Sequence, residues 1–147
     1  MNAEERHSYY ANVIQPQLDR LARRICEASA MDDEVLRELR YQDLTTFYAE
    51  QLSQAYWHPA LTESVADFTA VDNPSAALPY YRLALSQAQT LNDRRYTMLI
   101  SMAEALFDLG QKEQAEACLR DGRQEALSRG DLDYVHEADR VQQEASA

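Results

Sequence analysis

Three histidines, two cysteines and a surplus of carboxylates hold most of the reactive chemistry in this chain. His7, His58 and His136 have no partner at metal-ligand spacing in the sequence. His136-Glu137 opens like the zinc-protease helix motif, in which two His four residues apart share a face. The second His would fall at position 140, which is Arg140, so the motif stops there. Asp133, His136 and Glu137 can still share a helix face. The plainer reading of that face is a solvated polar surface, and no metal or cofactor is expected. Cys26 and Cys118 both fall in apolar helical stripes and read as buried, reduced thiols. A cysteine nucleophile needs a base and an electropositive setting, which so acidic a chain does not advertise. No Gly-rich phosphate loop exists, and no nucleophile elbow surrounds any Ser. The expectation is a protein that is not an enzyme.

Other residues suggest binding rather than reaction. Arg20, Arg23 and Arg24 lie beside Asp19 and Glu27 at spacings that pair along a helix, which reads as a solvated face. Arg129-Gly130-Asp131 reads as a helix stop with Gly just past the end. Nine Tyr stand against three Phe, with doublets at Tyr9-Tyr10 and Tyr80-Tyr81. One member of each doublet should face the core and the other lie nearer solvent. Either Tyr fills helix interfaces with its hydroxyl in water, or an exposed Tyr9, Tyr80 or Phe107 serves as a binding anchor.

The elements that must position these residues are helices. Only 3 Gly and 4 Pro occur in 147 residues, too few for the turns of a β-rich fold. The length suits one domain with a core of its own. A net charge of −11 argues against nucleic acid and anionic membrane as partners. The charge divides nearly evenly among residues 1–60, 61–109 and 110–147, so it reads as a uniform coat. No apolar run is long enough to span a bilayer. Met1 to Arg6 is polar and lacks a signal-peptide core, so the cytoplasm is the expected location.

Apolar residues recur at helical spacing along almost the whole chain. The pattern predicts a helix from Glu4 to Ala28, with a kink at Pro16 or a helix proper beginning near Gln15. The acidic Asp32-Asp33-Glu34 then caps a second helix running to about Trp57, closed by His58-Pro59. Shorter helices follow at Ala60 to Val71, Pro74 to about Leu91, Arg94 to Leu109, Glu113 to Ser128 and Leu132 to Glu144. Pro79 is expected near the first turn of its helix, where the lost N–H matters least. About seven helices joined by short loops make an all-α domain.

The second half carries an internal repeat. A shift of 38 positions lays Ala77 on Ala115, Tyr81 on Leu119, Ala84 on Gly122 and Ala88 on Ala126. It also lays Asn92-Asp93 on Gly130-Asp131 and Tyr96 on Tyr134. Small residues recur where helices approach closely, and turn residues recur where a hairpin reverses. The best unit spans Leu99 to Leu127, with Leu99, Met102, Ala103 and Leu106, then Leu109-Gly110, then Ala115, Leu119 and Gly122. A weaker one spans Leu61 to Leu91, with Leu61, Val65, Phe68, Ala77, Tyr81 and Ala84. In order and chemistry these positions resemble the tetratricopeptide repeat, whose period is about 34 residues. The resemblance covers roughly residues 60–145.

That resemblance implies a right-handed stack of antiparallel helical hairpins, with residues 1–57 as an N-terminal hairpin that caps it. First helices would line a concave groove. In the best unit the groove positions correspond to Thr97, Ile100, Glu104, Phe107 and Asp108. In the weaker unit they correspond to Thr62, Ala66, Thr69 and Ala70, with Tyr80 as an added anchor. Family members that clamp a peptide's terminal carboxylate use Lys, Arg and Asn at such positions. Here they are apolar, hydroxylic or acidic, so that recognition mode does not carry over. The expected function is a protein–protein interaction module for a peptide or helix of a partner. A narrower version is a dedicated chaperone, inhibitor or immunity-type partner of a basic protein. Self-association into a homo-oligomer and a small-ligand or metal enzyme built on Asp133, His136 and Glu137 are the remaining alternatives.

Overall fold

The computed structural model describes residues 1–147, and every regular element in it is helical. Helix α1 spans residues 3–30 and is built from Ala3–Tyr9, a π-helical turn at Tyr10–Ile14, and Gln15–Ala30. The remaining helices are α2 (Glu34–Ser53), α3 (Pro59–Asp72), α4 (Pro74–Thr90), α5 (Tyr96–Asp108), α6 (Lys112–Ser128) and α7 (Leu132–Ser146). No helix is long and apolar enough to cross a membrane.

Regular α-helical geometry gives way before Pro16 and resumes at Gln15, in agreement with a helix proper beginning there. Proline has no N–H to offer Asn12, and its ring crowds that carbonyl. The preceding backbone widens to π geometry, with Gln15 N–H donating to Tyr10 O, and the helix runs on. Pro79 sits deeper in α4 than expected, inside the helix rather than in its opening turn. It denies Ser75 its helical donor, and Ser75 is exposed, so water can take that place.

Five helices end in one way. Asp32, Ala55, Asn92, Gly110 and Gly130 adopt positive φ of 53°, 59°, 50°, 74° and 72°. Around each, two N–H groups turn back onto the last carbonyls, as in Ala55 N to Leu52 O at 2.9 Å and Tyr56 N to Gln51 O at 2.9 Å. This double bond pattern satisfies orphan carbonyls and stops the helix. It also ends α2 at Ser53, four residues before Trp57, because Ala55 turns left-handed without any turn-forming residue type to announce it.

The contacts divide into two compact units, residues 1–65 and 66–147. In the first, α1 packs on α2 through Ile14, Leu18, Ile25, Ala28, Leu44, Phe47 and Tyr48, all buried. In the second, α5 is the central element and packs on α4, α6 and α7. Ala66, Ala77, Leu78, Tyr81, Met102, Leu106 and Ala115 form one cluster around it. Ile100, Ala103, Leu119, Ala138 and Val141 form another. Residues related by the 38-position shift share their burial: Ala77 and Ala115, Tyr81 and Leu119, Ala88 and Ala126 are all interior. Gly122 is there because a Cβ would meet Ile100 Cγ1 and Leu99 Cβ at 3.0 Å, which lets α6 lie directly against α5.

Candidate functional site

In the second unit, α5 and α7 meet through Ile100 and Ala103 against Ala138 and Val141. Toward their C-terminal ends the helices leave a hollow of about 290 Å³ lined by Glu104, Phe107, Asp108, Val141, Glu144 and Ala145. Its floor is apolar, from Phe107, Val141 and Ala145, and its rim is acidic.

Arg140 bridges that rim. It donates to Glu104 at 3.0 Å and pairs with Glu144 at 2.7 Å and with Glu137. Hydrogen bonding to these carboxylates, Glu137 first, raises the Arg140 pKa, and the guanidinium in turn lowers that of Glu137. Asp108, the last residue of α5, is exposed and has no such partner. On α3, Asp67 accepts from the Tyr81 hydroxyl at 2.6 Å. Asp67 is exposed at the surface, and the loss of hydration where it meets its neighbours raises its pKa to about 6 despite the Tyr81 and Ser101 hydrogen bonds.

The nine residues expected to bind a partner divide sharply. Glu104, Phe107 and Asp108 line the hollow. Tyr80 is half-buried against the α4–α5 cluster. Thr97, Ile100, Thr62, Ala66 and Thr69 are interior, from 0% to 7% exposed, and offer no accessible groove face. For Ile100 and Ala66 the reason is the neighbouring helix, since α7 covers Ile100 and α4 covers Ala66.

Elsewhere the structure joins residues that spacing kept apart. His7 Nδ1 and His58 Nε2, 51 positions apart, lie 2.9 Å from each other. His58 Nδ1 accepts from the Ala60 N–H at 3.1 Å, so its proton sits on Nε2 and points at His7. The two rings thus share a hydrogen bond. Tyr10 stacks on His58 at 4.2 Å, and the Arg6 guanidinium lies 4.0 Å over the Trp57 ring while donating to Trp57 O at 2.7 Å. These contacts tie the start of α1 to the segment after α2.

Four of the nine Tyr fill interior interfaces, as one of the two readings expected, but their hydroxyls are bonded within the chain. Tyr56 donates to Arg6 O, Tyr81 to Asp67 and Tyr96 to Asp131, and Tyr48 lies within reach of Thr62, all from buried rings. These hydroxyls join helices rather than reaching water. Burial raises the Tyr56 and Tyr96 pKa values accordingly, with Asp131 adding to the effect on Tyr96.

Two smaller expectations are corrected. Cys26 is exposed, because Ile25 and Ala28 take the core side of its turn, and Cys118 is only half-buried. Burial raises the Cys118 pKa, which works against thiolate chemistry. Arg20 and Arg24 do not pair with Asp19 or Glu27 but line a cleft between α1 and α2 with Asp43 and Glu50. On α7, Asp133 and His136 are exposed, and Glu137 is engaged by Arg140, the residue standing where a second zinc His would be. No protein-family model, curated protein or solved structure matches the chain.

Proposed function

We propose that the chain is a non-enzymatic protein–protein interaction module built from tetratricopeptide-like hairpins over residues 60–145, which takes a peptide or helix of a partner. The carrying observation is the hollow between α5 and α7. In the repeat reading α5 is the first helix of the best unit and α7 is the C-terminal helix that follows that unit. Three of the residues that reading assigned to the groove, Glu104, Phe107 and Asp108, line it. A half-buried aromatic beside solvated carboxylates has the composition of an interface anchor.

The test is affinity capture from the source cells with wild type and Phe107→Ala, compared by quantitative mass spectrometry after equal melting temperatures are verified. The expected result is a partner retained by wild type and depleted in the variant. Identical recovery with both would overturn the reading. The narrower reading, a dedicated partner of one basic protein, is favoured by the acidic rim. It predicts that the captured partner is cationic and released by salt.

A further inference from the structure

We infer that the hollow between α5 and α7 recognises an arginine flanked by an apolar residue on a basic partner segment. This inference rests on the interaction-module reading and names the chemistry of its ligand.

The structure contains a sample of that chemistry. Arg140 is a guanidinium held by Glu104, Glu137 and Glu144, so the rim is already arranged to bind such a group. The planar fork of guanidinium suits paired carboxylates in a way that an ammonium does not. After Arg140 is satisfied, the rim still carries excess negative charge. Asp108 is unpaired, and it closes α5 at the negative end of the helix dipole. A carboxylate there is disfavoured by the dipole, and no side chain of this protein forms an ion pair with it.

Beside Asp108 lies the half-buried Phe107 ring, followed by Val141 and Ala145. A cation placed at Asp108 can contact that ring, while an adjacent apolar side chain covers the floor. The net charge of −11 would draw a cationic segment toward the surface from a distance. Arg140 then occupies the neighbouring carboxylates and adds a positive charge beside the site. The incoming arginine pairs with Asp108 while Arg140 stays in place, and removing Arg140 releases Glu104 and Glu144 for further pairing.

The test is fluorescence anisotropy of the intact protein with a labelled synthetic peptide alternating Arg and Leu, against the same peptide with every Arg changed to Gln. Wild type should bind the Arg peptide about tenfold tighter, and less tightly at high salt. Asp108→Asn and Phe107→Ala should each weaken binding about fivefold, and Arg140→Gln should tighten it by a similar factor. Asp19→Asn, a charge loss on α1, should change nothing. Asp108 is a surface residue, so its variant carries the test even if Phe107→Ala fails to fold.

Equal losses from Asp19→Asn and Asp108→Asn would mean diffuse attraction and overturn the inference. Weaker binding by Arg140→Gln would overturn it too, as would no binding of either peptide. Equal binding of both peptides, lost in Phe107→Ala, would reject the guanidinium while leaving the interaction module standing. The module reading itself is judged separately by partner capture.

Discussion

Replacing Gly122 with alanine tests the packing of α5 on α6 directly, because two effects of known sign oppose each other. Gly122 has an ordinary helical backbone, so alanine gains about 1 kcal/mol of helix propensity. On an exposed helix the substitution would stabilise. Here the new Cβ would sit 3.0 Å from Ile100 Cγ1, 3.0 Å from Leu99 Cβ and 3.3 Å from the Tyr96 carbonyl oxygen. The Ile100 contact could ease by side-chain movement. Leu99 Cβ and the Tyr96 carbonyl belong to the α5 backbone or lie next to it, so relief there requires the helices to part.

Overpacking of this kind costs about 1–3 kcal/mol, which exceeds the propensity gain. The net expectation is a loss of about 1 kcal/mol for Gly122→Ala, or a melting temperature lower by about 3 °C at this chain length. Gly122→Val adds two methyl groups to the same gap and gains less propensity, so it should lose about 3 kcal/mol. Urea unfolding followed by far-ultraviolet circular dichroism measures both. An alanine variant more stable than wild type by the full propensity term would refute the close approach of α5 and α6.

Three further outcomes follow from the geometry. Ala55→Gly should stabilise by about 0.5 kcal/mol, since relief of the left-handed strain at φ 59° slightly exceeds the added freedom of the unfolded chain; a lower urea midpoint would count against the helix stop described there. Asp67 has a folded pKa of about 6 against an ordinary 3.8, so its contribution to stability is present below the lower value and lost as pH rises through the higher. Asp67→Asn cannot ionise. The difference between variant and wild type should therefore grow in the variant's favour from about pH 4 to pH 6, and a flat difference across that window would rule out the raised pKa. Arg6→Ala should cost about 2–3 kcal/mol by removing the guanidinium from the Trp57 face and the donor from Trp57 O. Trp57 is the only tryptophan, so its emission should shift in the native state, and an unchanged spectrum would contradict the contact.

The helices were legible because a 3.6-residue apolar period survives in one dimension, and short-range stop signals mark most of their ends. Gly110, Gly130 and Asn92 announced their turns by residue type. Ala55 did not, since alanine carries no preference for the left-handed region, and only the carbonyls of Gln51 and Leu52 explain it. The repeat was legible as spaced small residues, and those positions are interior as their sizes require.

The candidate site was legible only in part. Periodicity places Glu104, Phe107 and Asp108 on one helix but says nothing of which neighbour covers the rest of that face. Ile100 and Ala66 became interior because α7 and α4 lie on them, a fact of packing between distant segments. The same limit hid the His7–His58 pair and the capture of Arg140 by Glu104. Composition gives the number of charges and pattern gives their helix, but their pairing depends on distances set by tertiary contact. By itself, then, this sequence determined an all-helical chain with most of its stops and its small-residue seams. The tertiary structure decided which carboxylates are satisfied and that Asp108 is left open beside Phe107, because Coulomb and dispersion forces act across space, not along the chain.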